Sequence, residues 1–176
     1  MHYTNKIHSK VINTTSSYLT TAETWLIITI LTYCMMNGAQ LFETFVIVPK
    51  WTAAPPQSFQ LFKAPYGLDM KIFWIIAHSL HEITFIIAII CCWKLSLVRN
   101  GLLILFLLHF AVRAWTLMYF APNIIAFQKI ANGISQGADM LTKATFWRNM
   151  NYLRVALFIA ISLAQMILWL KVFRLK

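Results

Sequence analysis

The sequence is poor in charged residues, and especially in acidic ones. Of its 176 residues, 11% are charged and only 5 are Asp or Glu. A soluble domain needs about 25% charged residues to cover a surface that faces water. The low charge, with 60% hydrophobic residues and a mean hydropathy of +0.67, excludes an ordinary soluble protein and predicts a chain surrounded by lipid.

Cysteine is also scarce, and its spacing matches no metal-binding or haem-attachment motif. The three cysteines, Cys34, Cys91 and Cys92, all lie inside apolar stretches. Neighbouring cysteines are poor disulfide partners. We interpret all three as small apolar packing residues, with lipid attachment at Cys91 or Cys92 as the alternative.

The charge that is present is mostly positive, and the formal net charge is +10. In a soluble protein such an excess would suggest nucleic-acid binding. Here the basic residues lie mostly in the segments between apolar stretches, where they can meet anionic lipid headgroups. We therefore expect the lipid bilayer as a partner and no nucleic acid.

Four apolar stretches dominate the chain: Trp25–Val48, Ile72–Trp93, Gly101–Ala121 and Tyr152–Leu170. Each is close to the roughly 20 helical residues that cross a bilayer core about 30 Å thick. None alternates in polarity as the strands of a membrane barrel do. The sequence predicts an all-α, integral membrane four-helix bundle over residues 25–170.

The remaining segments are predicted as two tails and two caps. Residues 1–24 lack the apolar core and cleavage site of a secretory signal, so we expect a loosely ordered polar tail before a retained first helix. Residues 171–176 form a basic C-terminal tail. The connections 49–71 and 122–151 carry prolines, aromatics and isoleucines, and we expect both to lie in the interface and cap one mouth of the bundle. Simple aromatic anchoring at the headgroups is the alternative.

Four helices place both termini on one side, and the short connection 94–100 makes the second and third helices antiparallel neighbours. The side with the termini carries seven basic residues: Lys6, Lys10, Lys94, Arg99, Lys171, Arg174 and Lys176. The opposite side carries six: Lys50, Lys63, Lys71, Lys129, Lys143 and Arg148. This bias predicts cytoplasmic termini, and we expect a multi-pass protein of a bacterial cytoplasmic membrane. A homo-oligomer is compatible with the sequence.

Polar side chains inside the apolar stretches are the most informative residues, because a charge at mid-bilayer costs about 2.5–3.5 kcal/mol on insertion scales. All four helices carry them or begin with them: Asn37, Gln40 and Glu43; His78, His81 and Glu82; His109 and Arg113; and, at the start of the fourth, Asn151 and Arg154. Spacings of three and four place each set on one helical stripe. The sequence positions put Glu43, His78 and Arg113 about 8–12 Å below the same face, which predicts a polar site in one half of the bundle.

Several interpretations of these residues stay open. In a structural interpretation, Glu43 or Glu82 pairs with Arg113 or Arg154, and the histidines hydrogen-bond between helices. In a functional interpretation they form a catalytic or ligand-binding site. A metal could then bind among four candidate ligands, His78, His81, Glu82 and His109. A haem held by His78 or His81 together with His109 is a further alternative.

Short motifs add a resemblance: Gly38-x-x-x-Phe42-Glu43, Pro49-x-Trp51, and Trp147-Arg148 before Asn151-Tyr152-Leu153-Arg154. Over most of residues 30–170 the chain resembles a family of small four-helix membrane proteins that includes the anthrone oxygenases. The resemblance implies a cofactor-independent oxygenase that oxidises a polycyclic phenolic carbon next to a carbonyl. In such a reaction a base deprotonates the substrate and the carbanion meets oxygen.

The resemblance also implies roles for four residues as catalytic candidates. His78 or His81 would act as the base, and Arg113 or Arg154 would hold the enolate. We assign substrate contacts to five further residues: Asn37, Gln40, Glu43, Trp51 and Asn151.

The function expected from the sequence is an oxygenase-like oxidoreductase that acts on a membrane-soluble aromatic or quinone-like molecule in a buried polar site. The alternatives are a noncatalytic assembly or accessory protein and a small-solute transporter. The absence of paired broken helices counts against a transporter.

Overall fold

Four helices are long and apolar enough to cross a membrane: Ser16–Thr52, Lys71–Cys91, Ser96–Ala131 and Met140–Phe173. They are seen in a computed structural model, which describes residues 2–135 and 137–175. Within those residues the chain is helical and has no strand. The predicted all-α, four-helix membrane fold is confirmed.

The helices, numbered in chain order, are α1 (His2–Phe42), α2 (Val48–Thr52), α3 (Lys71–Cys91), α4 (Ser96–Trp115), α5 (Ala121–Ala131) and α6 (Met140–Phe173). Two π-helical turns join consecutive helices, Glu43–Ile47 between α1 and α2 and Thr116–Phe120 between α4 and α5. A 3-10 helix, Gln57–Phe62, follows α2. Three of the four spanning helices therefore extend beyond the apolar stretches of the sequence, whereas the second, Lys71–Cys91, nearly matches its predicted stretch.

The polar segment before Trp25, expected to be a loosely ordered tail, continues α1 instead. Neither glycine nor proline interrupts residues 2–24. The hydroxyls of Thr20, Thr21 and Thr24 donate to backbone carbonyls four residues earlier, at 2.9–3.0 Å. Such bonds satisfy the hydroxyl groups without leaving the helix, so a polar sequence can extend the membrane helix.

The helices that we expected to end before Pro49 and Pro122 run through both prolines. A proline inside a helix lacks an N–H group, and its ring clashes with the carbonyl four residues earlier. In both places a π-helical turn ends two residues before the proline, at Ile47 and at Phe120. The wider turn accommodates the proline, and the helix continues as α2 or α5.

The half of the bundle near the termini is closed by apolar packing and by hydrogen bonds between α1 and α3. The Thr29 hydroxyl donates to the Thr84 carbonyl at 2.8 Å, and the Thr32 and Thr84 hydroxyls lie 3.0 Å apart. The Lys94 backbone N–H donates to the Tyr18 hydroxyl at 3.0 Å. Interhelical bonds of this kind hold membrane helices together, and they place the start of the spanning part of α1, which begins at Ser16, beside the end of α3.

The opposite end of the bundle is covered by an aromatic cluster that we call the cap. Its five rings are Trp51, Phe59, Phe62, Phe127 and Trp147, all buried. Trp51 lies at its centre, with ring centroids 4.9 Å from Trp147 and 5.5 Å from both Phe62 and Phe127. The two long connections thus pack together over one mouth, as the sequence predicts.

Gly67 provides a test of the cap's packing. A Cβ atom there would meet the Phe62 backbone and would lie 2.7 Å from the Lys63 nitrogen. Because backbone atoms cannot yield as a flexible side chain does, we expect Gly67→Ala to destabilise the protein by about 1–3 kcal/mol. Thermal unfolding in detergent measures the change.

Gly38→Ala is the matched control, because a Cβ atom at Gly38 meets nothing within 4 Å. In a helix interior, alanine is favoured over glycine by up to about 1 kcal/mol. Equal melting temperatures for the two variants would contradict the close backbone contact at Gly67.

Candidate functional site

A cavity of about 560 Å³ lies beneath the cap, between the spanning helices. Its apolar wall is largely aromatic and includes Trp51, Phe62, Trp74, Phe120 and Trp147. Its polar lining comes from all four spanning helices and includes Gln40, Glu43, His78, Arg113 and Arg154. The polar half of the bundle predicted by the sequence is therefore built around a cavity.

The two π-helical turns help to shape this cavity. Glu43 and Ile47 belong to the first turn, and Thr116, Leu117 and Phe120 belong to the second; all five line the cavity. A π-helical turn adds a residue to a helical turn and so rotates the side chains that follow, and such turns occur frequently at functional sites. Pro49 and Pro122 thus contribute to the site through the π-helical turns that precede them.

Arg154 is a buried cation that lines the cavity and has several contacts. Its Nη2 donates to Asn151 Oδ1 at 2.6 Å, and Asn151 Nδ2 donates to Thr44 Oγ1 at 2.9 Å. The guanidinium lies over the Phe120 ring, 4.3 Å from its centroid. A buried cation that is bonded to an amide and packed over a ring is fixed in one orientation.

A second polar cluster joins α3, α4 and α1. Glu82 Oε1 lies 3.5 Å from Arg113 Nε and 3.7 Å from His109 Nε2. On its other side, His109 Nδ1 is 3.0 Å from the Tyr33 hydroxyl. The pairing of Glu82 with Arg113 is one of the structural alternatives that the sequence left open.

His78 belongs both to the cavity lining and to the polar cluster around Glu82. It lines the cavity, and it offers a ligand atom within 4.8 Å of those of Glu82 and His109. Of the four metal-ligand candidates from the sequence, the structure brings these three together. His81 instead packs against Tyr33, with ring centroids 4.1 Å apart.

The structure separates the predicted catalytic and binding residues into two groups. Gln40, Glu43, Trp51, His78, Arg113 and Arg154 line the cavity. The others, Asn37, His81 and Asn151, do not. Asn37 donates a hydrogen bond to Ser162 Oγ at 3.0 Å. Asn151 accepts a hydrogen bond from Arg154 and so orients its guanidinium group.

Three contributors to the site were not identified from the sequence. Trp74 and Phe120 line the cavity, and Tyr33 holds His109. Tyr33 precedes Asn37 by four residues and Trp74 precedes His78 by four, so both share a stripe with a residue that was identified. That spacing was the available signal, but buried aromatic residues are so common in membrane helices that it did not distinguish them.

Fold and site together define a multi-pass membrane protein of four spanning helices with a polar cluster buried in the capped half. Comparison of the chain with protein-family models, with curated proteins and with solved structures finds no match.

Proposed function

We propose that the protein binds a membrane-soluble aromatic or quinone-like molecule in the cavity and oxidises it in an oxygenase-like reaction. One observation carries the proposal: residues that line the aromatic cavity hold buried polar atoms without partners in the described part of the chain. Gln40 Oε1, His78 Nδ1 and Arg154 Nε are buried and have no hydrogen-bond partner among the described residues. Buried polar atoms are nearly always paired, so these three are suited to the oxygen atoms of a bound molecule.

The size and lining of the cavity support a small, mostly apolar ligand. Its volume of about 560 Å³ falls within the roughly 300–1,000 Å³ of small-molecule sites, which combine apolar walls with a few convergent polar groups. Flat aromatic molecules suit stacking on the partly buried ring of Trp74, which lines the cavity.

Exposed apolar side chains in the cavity wall support a ligand that arrives from lipid. Ile75 of α3, Leu117 of the second π-helical turn and Ile125 of α5 line the cavity and are also at least 50% exposed. Because these apolar side chains face the surroundings of the bundle, a molecule dissolved in the bilayer can pass between them without crossing water.

The charges of the cavity suit an acidic phenol or an enolate. Arg113 and Arg154 face it together with His78, and guanidinium groups stabilise the negative charge that develops on oxygen. In the metal-free protein, His78 accepts a proton from a carbon beside a carbonyl. Dioxygen then converts the CH2 group into a carbonyl and releases one water. The resemblance to the anthrone oxygenases supports this chemistry.

The test uses purified full-length protein in detergent, titrated with a dihydroxyanthrone and with a short-chain naphthoquinone. We expect saturable quenching of tryptophan fluorescence, reduced in Trp74→Phe, and oxygen uptake with the anthrone. Anthracene, which has the rings but no oxygen atoms, should bind at least tenfold more weakly, because it leaves the polar atoms unpaired.

If the protein shows no saturable quenching and no oxygen uptake, the proposal is overturned and an accessory role is favoured. Binding without oxygen uptake would overturn only its oxidative part. Flux of the same compounds across reconstituted vesicles would favour a transporter.

A further inference from the structure

We propose that His78, Glu82 and His109 form a binding site for one divalent first-row transition-metal ion. Their ligand atoms all lie within 4.8 Å of one another. Two imidazoles and one carboxylate are a ligand set typical of iron, zinc and related ions. In helical bundles such sites are built from histidines and carboxylates that project from facing helices.

The helices supply the required positions. His78 and Glu82 are four residues apart on α3, so they share one face, and His109 approaches from α4. Glu82 Oε1 and His109 Nε2 are 3.7 Å apart. Two ligands about 2.1 Å from a tetrahedral ion are about 3.4 Å apart, so this pair is already close to ligand spacing.

Tyr33 orients one of the ligands. Its hydroxyl lies 3.0 Å from His109 Nδ1, while Nε2 of the same ring points to Glu82. When Nδ1 carries the proton and donates it to the tyrosine oxygen, Nε2 presents its lone pair to an ion. Metal-bound histidines almost always have such a partner on the second ring nitrogen. Tyr33 is fully buried, so its hydroxyl is held beside His109 Nδ1.

Unpaired nitrogens are a second sign of a ligand. His109 Nε2 and His78 Nδ1 are buried and lack a hydrogen-bond partner in the part of the chain that the structure describes. Arg113 competes for Glu82 at 3.5 Å, but a carboxylate has two oxygens and about four acceptor positions. One carboxylate can therefore contact both the guanidinium and an ion.

The inference deepens the proposed function and rests on it only for the role of the ion. Three protein ligands leave a fourth position for water or for a ligand oxygen, and one of the three, His78, lines the cavity. The ion would polarise that oxygen, and His78 would be a ligand rather than a base. Metal binding is measured without any organic ligand, so the two proposals fail separately.

The experiment loads chelator-treated, full-length protein in detergent with Co²⁺ and records the visible spectrum. We expect one Co²⁺ per chain and ligand-field bands. The affinity should fall at least 100-fold in Glu82→Gln and His109→Gln, and about 10- to 100-fold in Tyr33→Phe. Glu43→Gln, which removes a cavity carboxylate outside the three ligands, should keep the wild-type affinity.

Absence of stoichiometric Co²⁺ in the wild type would overturn the inference, as would wild-type affinity in both folded ligand variants. If the variants fail to fold, the wild type alone decides: bound Co²⁺ should raise its melting temperature with increasing concentration, and no rise would count against the site. Oxygen uptake by metal-stripped protein would remove the ion's role while leaving the proposed function in place.

Discussion

Turnover of a dihydroxyanthrone should fall at least 100-fold in His78→Gln and in Arg113→Gln, while both proteins remain in the membrane and folded. His78 is the histidine that lines the cavity, and Arg113 faces the same space. Loss of a proton-transfer group costs about 10²–10⁴-fold in rate, and loss of one donor to a developing oxyanion costs about 10²–10³-fold. Oxygen uptake by purified variants, normalised to folded protein, measures the effect.

His81 makes this prediction specific. It lies three residues from His78 on the same helix, but it packs against Tyr33 and does not line the cavity. We expect His81→Gln to alter the melting temperature more than the turnover per folded molecule. Gln165 is a buried polar residue of α6 outside the cavity. The Gln165→Leu variant therefore controls for effects of a buried substitution on membrane insertion. Normal turnover in both His78→Gln and Arg113→Gln would refute the oxygenase-like proposal.

The largest loss of stability should come from Trp51→Ala, at about 3–5 kcal/mol. Trp51 is 1% exposed and its ring contacts four other rings of the cap. Its removal leaves a void where two connections and α6 meet, and these elements cannot close it without moving the backbone. Chemical denaturation in detergent measures the loss, and Trp51→Phe should recover part of it.

Trp93→Ala is the matched control. Trp93 lies at the opposite end of the bundle with 56% of its surface exposed, so its removal should change the free energy of unfolding by no more than about 0.5 kcal/mol. Comparable losses for Trp51→Ala and Trp93→Ala would show that the cap does not hold the structure together.

The fold was predictable because hydropathy alone defines spanning helices. Lipid offers no hydrogen bonds, so an apolar stretch of about 20 residues has few alternatives to a helix. The helix ends were less predictable. Pro49 and Pro122 favour termination before the proline, yet both helices continue because α2 and α5 pack into the cap, and that contact is tertiary.

The sequence predicted how deep the site residues lie in the bundle, but it did not predict in which direction each side chain points. Residue spacing placed Glu43, His78 and Arg113 at one level of the bundle, and all three line the cavity. Spacing could not assign His78 to the cavity and His81 to Tyr33. At 3.6 residues per turn these two side chains point about 60° apart, and only the packing of neighbouring helices decides which faces the cavity.

The position of the cavity has a consequence for where the protein would find the proposed ligand. The half near the termini is closed by the packing of α1 against α3, whereas the cavity and its exposed apolar rim lie in the capped half. Among the described residues, the exposed apolar side chains that line the cavity face the leaflet on the capped side, so the proposed ligand would enter from that leaflet. With cytoplasmic termini, as the positive charges predict, the protein would draw on the outer leaflet and ignore the same compound dissolved in the inner one.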